Sequence, residues 1–161
     1  MARRVFYSFD YQRDSWRASM VRNIGMVLGN QAAIDNAWEE VYKSEDSAIR
    51  RWIKKQLNGR SCTIVLIGAE TARSKWVRYE IEQTLATGKG LLGIRIHKLL
   101  DQKQQEDMAG PDPFEGLSMP DGRLVTDVIH TYDPPGETSK EVYAHISEHI
   151  ESWIEIAIAE R

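Results

Sequence analysis

Cysteine, an excess of basic residues and long apolar runs are all missing or scarce in this chain. Cys62 is the one cysteine among 161 residues, so no intrachain disulfide can form and nothing indicates an oxidising compartment. No apolar run approaches the roughly 20 residues of a membrane-spanning helix. We expect no signal peptide before the first predicted strand. With a net charge of −3, nothing in the composition indicates a nucleic-acid-binding surface. We therefore expect a cytoplasmic protein that binds neither nucleic acid nor membrane.

The chain does contain an alternation of strand-forming and helix-forming segments. The clearest strand is Cys62–Gly68, a continuous apolar run typical of a buried strand in a parallel sheet. Helices are predicted from Asp14 or Ser15, from Ser44 or Asp46, from Ser74, and from the capping box at Thr138. The pattern predicts an α/β fold: one three-layer α/β/α domain over residues 1–161 with a mostly parallel, flavodoxin-like sheet. The other predicted strands are Arg4–Phe9, a short stretch near Ala32–Ile34, Gly90–His97 and Val125–Thr131.

The spacing of apolar residues predicts which helix faces are buried. The first helix, ending near Leu28, is expected to turn Trp16, Met20 and Ile24 inward. In the helix from Ser74 to Thr87 the predicted inward stripe is Val77, Ile81, Thr84 and Leu85. The stretch from Lys98 to Arg123 is too long for an idle connection, so it is either a functional loop or mobile.

A carboxylate in a distinctive setting marks the candidate site. Glu80 lies one helical turn after Trp76, at the edge of the apolar stripe, where we expect it to be half-buried beside a cleft. Ser8, Phe9 and Asp10 end the first predicted strand. The carboxyl ends of parallel strands meet at one edge of a sheet, which is where open α/β folds bind their ligands.

Two segments resemble the conserved boxes of Toll/interleukin-1 receptor (TIR) domains. The first strand carries the Phe-x-Ser-Phe type pattern at Phe6–Phe9, and Ser74-x-Trp-Val-x-x-Glu-Ile resembles the box that holds the catalytic glutamate of TIR enzymes. Val77 stands where plant members commonly have Cys. The stretch from Asp14 to Asn23 is also similar to the stand-alone TIR-like proteins of the bacterial Thoeris antiphage system.

The resemblance implies an enzyme that cleaves NAD between nicotinamide and ribose and makes a cyclic ADP-ribose isomer as a signal. Glu80 matches the catalytic position, while Ser8, Phe9, Asp10 and Trp76 are expected to bind the substrate. Such a carboxylate stabilises the oxocarbenium-like ribose left by nicotinamide. No metal and no cofactor is implied, since NAD is the substrate.

The resemblance also implies partners. They are a separate effector protein reached through the diffusible nucleotide, a phage-derived trigger, and other copies of this chain. In TIR enzymes a neighbouring subunit's loop often completes the site, and Asn30–Lys43 resembles the place of that loop.

Plainer interpretations stay open for each feature. On the plainer interpretation Glu80 is an ordinary exposed glutamate of a helix. Asp10 and Asp14 then only cap the helix that follows the first strand. The His-x-x-Glu-His pattern at residues 145–149 matches inverted zinc proteases, but without a further ligand cluster it is read as a solvated helix face. The alternative function is a non-catalytic TIR-like interaction module, and the fold alone does not decide between the two.

Overall fold

The computed structural model describes residues 3–24, 41 and 43–161. Within these ranges it contains a parallel sheet flanked by helices, as the alternating sequence pattern predicts. The predicted strand near Ala32–Ile34 lies outside the described residues. In chain order the elements are β1 (Val5–Ser8), α1 (Tyr11–Arg22), α2 (Asp46–Leu57), β2 (Cys62–Ile67), a 3-10 turn (Thr71–Arg73), α3 (Lys75–Ala86), β3 (Gly90–Arg95), α4 (Val125–Val128), β4 (Thr131–Tyr132) and α5 (Ser139–Ala159).

The described strands form one parallel sheet in the order β1-β2-β3-β4. Ser8, the last residue of β1, lies opposite Val65 of β2. Every residue of β2 is buried, and so is every residue of β3 except the half-buried Arg95 at its end, because helices cover both faces. The α/β fold with a flavodoxin-like parallel arrangement is thus confirmed.

Apolar side chains alternate between the two faces of the sheet. On one face Val5, Tyr7, Ile64 and Leu66 pack against α1 and α5. On the other face Val65 and Ile67 pack against α3, and Phe6 packs against α2. This two-sided burial gives the expected three layers.

The helix that follows β1 differs from its prediction. It begins at Tyr11, and the side chains it buries are Asp14, Arg17, Ala18 and Val21. Trp16, predicted to lie inward, is 51% exposed. The apolar spacing misled here because a buried acid and a buried arginine form part of the inward face. They neutralise each other, so polarity does not indicate exposure in this helix.

The predicted fifth strand is shorter than expected. Val125–Val128 is one helical turn, and only Thr131–Tyr132 pairs with β3. Val125 is fully buried and packs on the cluster that contains Phe114. The β-branched Val125 favours a strand by its side-chain type, but here it is buried from a helical turn instead.

The long segment between β3 and α4 docks on the domain. Leu99 and Phe114 are fully buried, and the Arg95 guanidinium donates to the backbone oxygen of Gly110 at 2.8 Å. Gly110 approaches so closely that a Cβ there would meet the Gly68 oxygen at 2.4 Å. Across the described residues no helix is long and apolar enough to cross a membrane.

Candidate active site

The centre of the candidate site is a hydrogen bond between the end of β1 and the second turn of α3. Ser8 Oγ donates to Glu80 Oε1 at 2.7 Å, and both side chains are buried. Ser74 caps α3 by accepting from the Val77 backbone N–H at 3.3 Å, which sets where the helix begins. Strand and helix thereby bring together two residues that are 72 positions apart in the chain.

Glu80 is more deeply buried than its position at the edge of the stripe predicted. Its exposed fraction is 1%, and it is one of four buried residues of α3, with Val77, Ile81 and Thr84. Burial raises the pKa of Glu80 to about 8, and the hydrogen bond from Ser8 opposes part of that rise. Its second oxygen, Oε2, has no hydrogen-bond partner among the described groups. At neutral pH the resting side chain is therefore mostly a neutral acid.

A surface cavity opens beside this pair, at the carboxyl edge of β1. Its volume is about 380 Å³, within the range of small-molecule pockets. Two of the predicted substrate-binding residues, Asp10 and Trp76, line it. Among the described residues the complete lining is Asp10, Tyr11, Gln12, Glu70, Arg73, Ser74 and Trp76.

Trp76 is both a packing residue and a wall of this cavity. Its half-buried ring packs on the cluster around Phe6 and meets the Tyr79 ring edge-on at a centroid distance of 6.0 Å. The Lys75 ammonium lies 4.8 Å from the Trp76 ring centroid and pairs with Asp46. The tryptophan is therefore held in place before any ligand binds, and it already accepts a cation over one face.

The other predicted residues are buried and do not line the cavity. Ser8 reaches Glu80, and the Phe9 ring is buried in the core with the Arg22 guanidinium 5.3 Å from its centroid. Neither Ser8, Phe9 nor Glu80 is among the described lining residues. The sequence thus placed all five residues at one edge of the sheet, and the structure separates an outer pair from an inner trio.

The structure adds residues that the sequence reasoning did not single out. Gln12, Glu70 and Arg73 line the cavity, and no sequence pattern marks them: Gln12 lies in the first turn of α1, and Glu70 and Arg73 belong to the 3-10 turn after β2. Asp14 is fully buried, and its Oδ1 pairs with the Arg17 guanidinium at 3.0 Å. Burial raises the pKa of Asp14 to about 6, while the bond to Arg17 lowers it. The sequence had marked Asp14 as a possible helix cap; the structure instead places it inside α1 as the buried partner of Arg17.

Metal-ligating residues do not converge in the part of the chain that the structure describes. His145 and His149 of the His-x-x-Glu-His pattern stack on each other with a centroid distance of 4.1 Å, and both rings contact Trp153. These rings belong to α5, on the far side of the sheet from α3. They take no part in the cavity beside Glu80.

Known proteins share the segment that carries the site. The model of the family described as Thoeris protein ThsB, TIR-like domain, matches residues 6–101, which include Ser8 and Glu80. A protein of Bacillus cereus (strain MSX-D12), named as a candidate cyclic ADP-D-ribose synthase, ThsB1, is 39% identical over 122 residues. That match covers 73% of this chain and 64% of the relative, so this chain spans less than two thirds of the relative's length.

Proposed function

The chain belongs to the Thoeris ThsB TIR-like family, and from that premise we propose that it is an NAD-cleaving enzyme. It releases nicotinamide and makes a cyclic ADP-ribose isomer as a signal in antiphage defence. The observation that carries this proposal is the buried Ser8–Glu80 pair, with an O–O distance of 2.7 Å, together with a cavity lined by Asp10 and Trp76, which lie two and four residues from Ser8 and Glu80 in the chain. The similarity to a relative named for cyclic ADP-D-ribose synthesis supports the same activity.

The reaction breaks the bond between ribose C1′ and the nicotinamide nitrogen. Nicotinamide leaves with the bonding electron pair as a neutral molecule, and the ribose becomes an oxocarbenium ion. The Glu80 carboxylate stabilises that cation electrostatically. A nucleophilic atom of the same ADP-ribose then bonds to C1′ and loses its proton, which closes the ring. Excluding water favours this outcome over linear ADP-ribose.

The charge state of Glu80 fits a role that begins when substrate binds. Burial holds the resting carboxyl mostly protonated at neutral pH. NAD carries a positive nicotinamide ring, and a nearby positive charge lowers the pKa of a carboxyl group. We propose that substrate binding ionises Glu80 and so supplies the negative charge where the oxocarbenium ion forms.

The remaining site residues take roles that follow from their positions. Ser8 holds one oxygen of Glu80 and thereby orients the carboxyl group. Asp10 and Trp76 are proposed to contact the substrate from the cavity wall. Phe9, buried behind them, stays a prediction as a substrate contact. No metal or cofactor is included in the proposal.

The proposed partners are NAD, the effector protein that receives the cyclic product, a phage-derived trigger and other copies of this chain. The cyclic product diffuses to a separate effector protein, and a phage-derived trigger activates the enzyme. Copies of this chain associate to complete the site. Residue range 30–43, where a neighbour's loop is expected, lies almost entirely outside the described residues.

One observation favours the second candidate, a non-catalytic interaction module. Glu80 is 1% exposed and is not among the described lining residues of the cavity, so the resting site does not present its carboxyl group to a ligand. A module that only assembles with partners has no need of an accessible carboxylate. Activity therefore has to be measured directly.

The test is to incubate the purified protein with NAD, with and without phage lysate, and to identify the products by mass spectrometry. We expect nicotinamide and a product one water lighter than linear ADP-ribose. Glu80→Gln should abolish turnover, whereas Glu82→Gln, an exposed neighbour on α3, should leave it unchanged. Linear ADP-ribose alone would indicate a glycohydrolase. No NAD consumption under any condition would support the interaction module.

A further inference from the structure

The cavity beside Glu80 has an uneven distribution of charge. Arg73 is the one cationic side chain among its described lining residues, and it stands with two carboxylates, Asp10 and Glu70. The nearby Lys75 ammonium does not line the cavity and pairs with Asp46. A ligand with an anionic group therefore has a single partner of opposite charge in this part of the site.

Arg73 is available for such a ligand. Its side chain is 75% exposed, and among the described residues it makes one ion pair, Nη1 to Glu70 Oε2 at 3.1 Å. An exposed ion pair contributes little to stability, so exchanging it for a ligand costs little. A guanidinium has five N–H donors in a planar fork, which matches two oxygens of a phosphate group.

The backbone beneath Arg73 is held in place before a ligand arrives. The Arg73 N–H donates to the Glu70 oxygen at 3.0 Å, and the Ser74 N–H donates to the Thr71 oxygen at 3.1 Å. Thr71 is buried, and its hydroxyl accepts from the Gly68 N–H at 2.7 Å. This turn ties the base of the side chain to the end of β2, which reduces the entropy lost on binding.

We propose that Arg73 binds the pyrophosphate of NAD and so determines which way the dinucleotide lies; this assignment rests on the proposed function. The pyrophosphate carries the negative charge of NAD, and the nicotinamide ring carries its positive charge. With the pyrophosphate on Arg73, the adjoining nicotinamide riboside extends toward Asp10, Trp76 and the inner Ser8–Glu80 pair. Glu70, released from Arg73, is then free to accept a hydrogen bond from a hydroxyl group of the ligand.

Binding measurements on Arg73→Gln test the assignment without requiring turnover. Isothermal titration with ADP-ribose, which keeps the pyrophosphate, should show affinity weakened about tenfold, the effect of losing one charged hydrogen-bonding partner. Binding of nicotinamide riboside, which has no phosphate, should be unchanged within about twofold. Arg73→Lys should restore part of the ADP-ribose affinity, because it returns the charge without the planar fork.

Arg78→Gln is the matched control. Arg78 is also exposed and also makes a 3.1 Å ion pair, with Glu82, but it does not line this cavity. The assignment is overturned if the parent protein shows no measurable affinity for ADP-ribose, if Arg73→Gln binds it as the parent does, or if nicotinamide riboside binding falls equally.

The same variant separates this assignment from the proposed catalysis. In NAD turnover, Arg73→Gln should raise KM about tenfold with kcat little changed. Weakened ADP-ribose binding in a protein that never consumes NAD would keep the assignment and reject the catalysis. NAD turnover with an unaltered KM in Arg73→Gln would reject the assignment alone.

Discussion

At the scale of single residues, the carboxyl group of Glu80 is buried in surroundings that destabilise its charged form. Glu80 lies 1% exposed with one hydrogen bond, from Ser8, and with Oε2 unpartnered among the described groups. A purely structural position favours an apolar side chain, since burying a carboxyl group costs free energy. The raised pKa of Glu80 is typical of groups kept for chemistry rather than for packing.

This burial predicts a pH-dependent gain in stability for Glu80→Gln. Folding raises the pKa of Glu80 from 4.5 to about 8, so between those values the folded protein holds a proton that the unfolded chain releases. The stability of the parent therefore falls as pH rises through that window, by up to about 1.4 kcal/mol per pH unit. Gln has no proton to lose, so we expect the Tm advantage of Glu80→Gln to grow from pH 5 to pH 8.

Thermal unfolding at each pH measures this effect, with Glu82→Gln as the exposed control. Asp14 has a raised pKa in both proteins, so its contribution cancels in the comparison. A Tm difference that stays constant from pH 5 to pH 8 would contradict a buried, titrating Glu80.

Removing the Ser8 hydroxyl should shift the pH dependence of NAD cleavage. The hydrogen bond from Ser8 lowers the pKa of Glu80 against the effect of burial. In Ser8→Ala that pKa rises further, so the ascending limb of kcat/KM should move to higher pH, by about one unit. Ser19→Ala, which removes a hydroxyl bonded to the Trp16 backbone, should leave the limb unmoved. If the ascending limb of kcat/KM does not shift in Ser8→Ala, Ser8 does not tune the pKa of Glu80.

At the scale of elements, α1 joins two parts of the fold through a buried charge. Arg17, 2% exposed, donates from Nε to the Leu99 oxygen at 2.7 Å and from Nη2 to the Gln105 oxygen at 2.9 Å. It also pairs with Asp14 at 3.0 Å. The first part of the long segment after β3 is thereby fastened to α1, so it is a docked loop rather than a mobile one.

Replacing Arg17 should destabilise the long segment after β3 more than it destabilises the sheet. In Arg17→Met two backbone oxygens lose their donor and Asp14 loses its countercharge, so we expect a loss of about 3–5 kcal/mol. Amide hydrogen exchange should accelerate over residues 99–107 more than in β2. Arg51→Met, on the exposed face of α2, is the control.

A double variant keeps that prediction decisive even if the single variant folds poorly. Asp14→Asn combined with Arg17→Met removes the unpaired buried charge, so it should regain part of the stability lost in Arg17→Met. A double variant less stable than the single variant would show that the charge pair is not what fastens the segment.

At the scale of the whole molecule, the two parts of the candidate site are separate in the single chain. The cavity lies outside, lined by Asp10 and Trp76, and the Ser8–Glu80 pair lies inside. Large apolar side chains remain on the surface, with Trp16 51% and Met108 78% exposed. A site that one copy presents incompletely is suited to completion by another.

We expect the rate of NAD cleavage per subunit to rise with protein concentration. Association stabilises whichever conformation opens Glu80 to the cavity, and mass action makes that state more populated at high concentration. The measurement is specific activity over about a hundredfold dilution, with sedimentation at the same concentrations. Inert protein added to keep the total constant controls for crowding. A monomer with full activity at every dilution would contradict the prediction.

Much of this architecture could be predicted from local sequence. The continuous apolar run at Cys62–Ile67 and the inward stripe of Val77 and Ile81 agree with the structure, because both depend on periodicities of a few residues. The carboxyl-edge placement of Ser8 and Glu80 also followed, since parallel strands must end at one edge.

By itself the sequence determined the family, the alternation of strands and helices, and the residue types gathered at one edge of the sheet. Only the tertiary structure decided how deeply Glu80 is buried, that Asp14 and Arg17 turn inward together, and that Arg73 faces the cavity. The physical reason is that a residue's burial and charge depend on neighbours far away in the chain. Ser8 meets Glu80 across 72 positions, and Arg17 meets Gln105 across 88. No local pattern encodes such contacts, because they exist only once the sheet and its helices have packed.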